Sequence, residues 1–193
     1  MLFLLEILEF IKVQSSKIDE ILKKDLDKSA FIFPVAYGIS LWSQMLKSSG
    51  AGDSLGFSGL LIGILVTGSL VGMLIFYFFP FILSRVSKIF TEKGDFKSCQ
   101  KIFAWCQSPF IISALLVIIE FLMGGQKIYT KAFINSNGMQ GFVNASTTFI
   151  SMFFAFLLIK SFSYVWQIKW WKSLIIIFLS AAITMLPTFL LHI

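Results

Sequence analysis

The sequence predicts an all-α fold: a polytopic transmembrane bundle of five spans, with the N-terminus cytoplasmic and the C-terminus outside. Three observations carry this prediction. Hydrophobic residues fill 57% of the 193 positions and charged residues only 13%, against roughly 25% charged in an ordinary soluble domain. Several apolar runs approach the ~20 residues that a helix needs to cross the hydrocarbon core. The basic residues gather at one end of those runs.

Residues 1–29 come first. Polar positions Glu6, Glu9, Lys12, Ser16, Glu20 and Lys23 recur at three- or four-residue spacing, opposite Leu4, Leu8, Ile11, Ile18, Leu22 and Leu26. That period predicts an amphipathic helix on the cytoplasmic membrane face. Ser16 and Asp19 have capping-box spacing, so a break at Ser15 and Ser16 is expected. The stretch has no basic leading region and no small-residue cleavage site, and is expected to be retained rather than cleaved as a secretion signal.

Residues 30–193 are expected to form a single transmembrane domain. Span one covers about 30–46, with Pro34 near its first turn, where proline is tolerated, and Trp42 at the interface. The linker SSGAGDSLGFSG precedes span two, about 60–83, whose length of about 36 Å calls for tilt or for a kink at Pro80. Span three runs over about 102–123 and is followed by the polar stretch GGQKIYTKAFINSNGMQGF, expected to hold a short helix. Span four covers about 143–165, and the link QIKWWK leads into span five, about 173–193.

Orientation follows from the lysines and arginine. With the N-terminus inside, the cytoplasmic segments hold Lys12, Lys17, Lys23, Lys24, Lys28, Arg85, Lys88, Lys93, Lys97, Lys101, Lys160, Lys169 and Lys172, and the outside holds Lys47, Lys127 and Lys131. Thirteen against three satisfies the positive-inside rule. Trp105, Trp166, Trp170 and Trp171 then fall near the inner interface. The net charge of +6 is accounted for by topology, and no nucleic-acid partner is implied.

Four features carry the functional reading. The loop TEKGDFKSCQKIFAWCQSPFII runs a basic turn straight into an apolar span interrupted by Pro109. Proline cannot donate to the carbonyl of Trp105 and crowds it, so a kink is expected, with Gln107 and Ser108 placed to satisfy the freed acceptor. Span two carries Gly59, Gly63, Gly68 and Gly72, two small-xxx-small pairs that admit another helix backbone, from this chain or from a partner. Gln107, Ser108, Glu120 and Asn144 are the candidate polar groups within the spans. Glu120 lies about 27 Å along span three and is expected to be a charge at the outer interface. Asn144 opens a polar cluster with Ser146, Thr147, Thr148 and Ser151 that either lines a shallow cavity or hydrogen-bonds between helices.

The sequence contains no HExxH or Walker A pattern. Cys99 and Cys106, about 10 Å apart on one helix, are expected to be free thiols, and without a His/Cys cluster no metal or other cofactor is expected.

The order of these features, with the loop EKGDFKSCQKIFAWCQSPF and the last link YVWQIKWWKSL, resembles the Yip family (Ypt-interacting proteins) in its bacterial branch. Gly94, Phe96 and Pro109 match the family's loop-and-proline element, and Trp171 with Lys172 resembles the element before the last span. The N-terminal region through which eukaryotic members are implicated with Rab-type GTPases is absent, so no GTPase partner is expected. The resemblance implies a non-enzymatic, multi-pass protein of the bacterial cytoplasmic (inner) membrane, a scaffold or adaptor whose partners are the lipid bilayer and either further copies of itself or another membrane protein. The alternative is a transport component or lipid scramblase using the Pro109 kink and the polar residues of spans three and four.

Overall fold

The computed structural model describes residues 15–23, 28–131 and 138–190. The expectations for residues 1–14, 24–27 and 132–137 and for the chain end at 191–193 lie outside the described residues. Every described regular element is helical: α1 Ser15–Lys23, α2 Ile32–Ser49, α3 Phe57–Ile62, a π-helical segment Gly63–Thr67, α4 Gly68–Phe90, α5 Phe96–Cys106, α6 Phe110–Gly124, α7 Gly138–Trp166 and α8 Trp170–Leu190. Short 3-10 turns at Lys28–Phe31, Ala51–Asp53 and Gly125–Tyr129 join them, the last supplying the short helix expected in the polar stretch.

By length and composition three helical stretches suffice to cross a membrane, Phe57–Phe90, Phe110–Tyr129 and Gly141–Trp166, and Trp170–Thr184 is a shorter apolar helix. The chain is an integral membrane protein. The segment expected as span one is the 18-residue α2, which is not among these stretches because Ser40, Ser43, Gln44, Lys47, Ser48 and Ser49 dilute its apolar residues.

The chain folds as two compact units. The first comprises Met1–Ala30, Ile75–Cys106 and Phe154–Ile193. Here α1 packs on α5 by burying Ile18 and Ile21. Lys101 Nζ donates to the Leu22 carbonyl at 2.9 Å, satisfying an acceptor that the end of α1 leaves open, and Tyr164 donates to Asp19 at 2.9 Å. Phe79 meets Phe103 at 4.9 Å between ring centroids, and Phe162 stacks on Trp166 at 4.6 Å. Cys99 and Cys106 are free and buried.

The end of α7 has an unusual cap. Gln167 takes a left-handed φ of 54°; its N–H returns to the Tyr164 carbonyl and that of Ile168 to the Ser163 carbonyl, both at 3.1 Å. This is the Schellman pattern, in which glycine ordinarily fills the left-handed position. The Gln167 side chain accepts a hydrogen bond from Lys93 Nζ, an interaction glycine cannot make.

The second unit comprises Phe31–Leu74 and Gln107–Phe153. Its core joins Ala36 and Ile39 of α2, Leu60, Ile64, and Ala114, Val117 and Phe121 of α6, closed by Ile128 and Tyr129. Helix α2 ends where Gly50 adopts φ 68° and returns its N–H to Lys47 at 3.0 Å, the left-handed stop that glycine permits. Gln126 Nε2 donates to the Gly52 carbonyl at 2.7 Å and the Lys131 N–H to Asp53 at 3.2 Å, lacing the two connecting segments together.

Span two departs from the expected kink. Helix α4 runs through Pro80 without interruption, and the irregularity is the π segment instead. In an α-helix each four-residue step drifts by about 40° around the axis. Leu60, Ile64, Gly68 and Gly72 are four apart, and all are buried. The wider π turn between the first and last of them offsets part of the drift, so one line of residues stays against α2.

Candidate functional site

The glycine seam shows how closely two backbones meet. A Cβ on Gly72 would overlap the Pro34 carbonyl oxygen and stand 3.0 Å from the Gly38 Cα, and one on Gly68 would stand 3.0 Å from the Ile39 Cα. Gly38 is equally tight, with Gly72 N at 2.5 Å. Gly68 and Gly72 are therefore occupied by α2 of the same chain. Gly59 and Gly63 are not: a Cβ on Gly59 meets only Leu55 of its own approach, at 3.7 Å, and one on Gly63 meets Leu46 at an ordinary 3.5 Å. Gly38 belongs to the seam although it is not part of the small-xxx-small pattern of span two; its signal is the pairing of Pro34 and Gly38 one turn apart in α2.

Close approach of the backbones brings side chains of α2 onto α6. Lys47 forms an ion pair with Glu120 Oε2, their side chains only 7% and 3% exposed. Beside it Ser43 and Tyr129 share a hydroxyl–hydroxyl hydrogen bond of 2.8 Å, and the Lys47 ammonium stands 5.7 Å from the Tyr129 ring centroid. The expectation for Glu120 is corrected: it is enclosed in protein rather than held as an interfacial charge. The reason is Lys47, one turn beyond Ser43 on the face of α2 turned to α6, whose ammonium offsets the cost of burying a carboxylate. Lys47, Ser43 and Tyr129 escaped the sequence reading because an ion pair between distant segments leaves no local pattern.

At Pro109 the structure is more abrupt than a kink. Helix α5 stops at Cys106, a turn holds residues 107–109, and α6 starts at Phe110. Three-residue hydrogen bonds bridge the break, from Phe110 to the Gln107 carbonyl at 2.9 Å, Ile111 to Ser108 at 3.2 Å and Ile112 to Pro109 at 3.1 Å. Gln107 and Ser108 do not supply the side-chain bonds expected of them. Both are buried, and the Gln107 amide and the Ser108 hydroxyl make no hydrogen bond. The backbone makes its own repair by tightening to the i→i+3 pattern, which leaves those side chains unused.

Ser113 and Thr147 approach at 3.5 Å between hydroxyls, so part of the polar start of span four faces α6. Asn144 lies on another face and is exposed. A shallow cleft lined by Phe57, Met123, Gly125, Gln126 and Lys127 lies by the end of α6.

The loop of residues 91–95 is built around three positions. A Cβ on Gly94 would overlap Ser87 Oγ and lie 3.0 Å from the Ser84 carbonyl, so only glycine seats the loop on α4. Asp95 caps α5: its Oδ2 accepts the Ser98 N–H at 3.0 Å and the Ser98 hydroxyl at 3.1 Å. The backbone N–H of Ser98 is the main reason the Asp95 carboxyl is held below its ordinary range, with the Ser98 hydroxyl and Lys97 assisting. Phe96 then places its ring edge-on to Phe81 at 6.4 Å.

Among the described residues no cluster of His, Cys, Asp and Glu has the make-up of a metal site. No curated protein and no solved structure matches the chain. A family model described as the Yip1 domain matches residues 15–191, which takes in both compact units, the 91–95 loop, the break at Pro109 and the last link. The chain belongs to the Yip1 domain family of membrane proteins.

Proposed function

We propose that the protein is a small membrane scaffold or adaptor, acting through helix–helix association in membrane organisation or complex assembly. In this reading it has five spans, with the N-terminus in the cytoplasm and the C-terminus outside, in a bacterial cytoplasmic membrane.

The observation that carries the proposal is Asn144. Its side chain is exposed on α7. With Trp166 at the inner interface, the rise of about 33 Å to Asn144 puts the amide at the outer margin of the ~30 Å hydrocarbon core, where a hydrogen bond to a second helix can satisfy it. The flanking positions Gly141, Ala145 and Thr148 are small and exposed, so a second backbone can come close. An amide both donates and accepts and therefore pairs with its own copy across a two-fold axis. Gly68 and Gly72, already filled by α2, are unsuited to this role, whereas Gly63 stays accessible.

The test is disulfide crosslinking in native membranes between copies bearing Thr148→Cys. Crosslinked dimer is expected, and adding Asn144→Leu lowers its yield severalfold while the protein stays folded. Undiminished crosslinking in Asn144→Leu, or no dimer at all, removes this surface from the proposal. The polar groups that a transport path would use do not converge, since Gln107 and Ser108 are buried and Asn144 is exposed.

A further inference from the structure

We infer that the surface formed by the 91–95 loop and the 167–169 link binds the headgroup of an anionic phospholipid, through Lys93, Lys169 and Lys172 with Trp170 and Trp171. This goes beyond the association proposed above and does not depend on it, because every residue of the surface belongs to one copy and one unit.

The arrangement is held in place by specific contacts. Lys93 Nζ donates to Gln167 Oε1, tying the loop to the link. The Lys169 carbonyl accepts from Lys172 N at 3.0 Å and Ser173 N at 3.3 Å, so residues 169–172 form a fixed first turn of α8. Lys169, Trp170, Trp171 and Lys172 are all exposed, the two indoles by 59% and 44%. The Lys172 ammonium stands 5.6 Å from the Trp171 ring centroid.

Two adjacent exposed indoles beside two lysines suit the headgroup layer and little else. The indole body prefers the acyl boundary and its N–H the phosphate level, while the lysines give a phosphate a positive surround. The loop carries two exposed acids, Glu92 and Asp95, the latter directed at the N-terminus of α5, against the three lysines Lys93, Lys169 and Lys172, so the surface keeps a positive excess. Gln167 adds an independent pointer. It holds a left-handed conformation that glycine would accept freely, and what glutamine adds is the acceptor that fixes Lys93.

The test compares the purified protein in nanodiscs of phosphatidylcholine with and without phosphatidylglycerol of the same chain composition, reading bound lipid by native mass spectrometry. Preferential retention of phosphatidylglycerol is expected, weakened by high salt. At about 5-fold per well-placed lysine, Lys169→Gln with Lys172→Gln should lower the preference by about 25-fold. Lys127→Gln, in the Gly125–Tyr129 turn and outside the proposed surface, should leave it unchanged. Equal retention of the two lipids, an unchanged preference in the double variant, or an equal loss per charge in Lys127→Gln would each overturn the inference.

Discussion

Lys47 of α2 and Glu120 of α6 are 73 residues apart in sequence and form an ion pair enclosed in protein. Burial makes the two charges interdependent. Removing one leaves the other without compensation, at a cost of about 3–5 kcal/mol, whereas exchanging both for apolar groups of similar volume is often tolerated. Lys47→Met and Glu120→Leu should each destabilise strongly, and the double variant should recover most of the loss. Denaturant unfolding in detergent measures the cycle; additive losses would show that the pair is not coupled.

Gly72 makes a steric prediction of opposite character. Because its missing Cβ is the space occupied by the Pro34 carbonyl, Gly72→Ala forces α2 and α4 apart. A loss of about 1–3 kcal/mol or more is expected from overpacking. Gly63→Ala, whose Cβ would find Leu46 at van der Waals distance, should change stability little. Melting temperatures of the two variants check this directly, and equal effects would contradict the seam.

How far all this was legible can be judged from the same residues. The apolar runs and the basic loop marked the helices, because run length and charge placement answer to the bilayer and need no tertiary detail. The small-xxx-small pattern located Gly68 and Gly72 but not their partner, since a backbone contact is defined by Gly38 and Pro34 on another helix. Glu120 was visible as an intramembrane acid, yet its environment is decided by Lys47, which looked like one more residue at a span end. The π segment was invisible, because its purpose is to keep Leu60 through Gly72 on one line. Gln167 hid as an ordinary polar link residue, since nothing in its neighbours requires a left-handed backbone.

Asp95 gives the pH prediction. Its folded carboxyl titrates below the range of a free aspartate because the Ser98 N–H favours the charged form. The folded state therefore releases this proton more readily than the unfolded chain. The cap's contribution is fully present above the unfolded value near pH 4 and is lost as pH falls through the lower folded value. Solvent exposure keeps it small, toward the lower end of the ~0.5–2 kcal/mol usual for a cap. Asp95→Ala should lose this stability at neutral pH, and Asp95→Asn should keep most of it while removing its acid dependence. Unfolding midpoints between about pH 3 and pH 7 are the readout; identical profiles for Asp95→Asn and the native chain would count against the cap.

The account rests on an odd number of crossings between the 91–95 loop and the segment after α6. Single cysteines at Glu92 and Thr130, with Cys99 and Cys106 replaced by alanine, can be probed with a membrane-impermeant maleimide in intact cells and in inverted vesicles. The five-span arrangement predicts labelling of position 130 from outside only and of position 92 from the cytoplasmic side only. Labelling of both from the same side would contradict it.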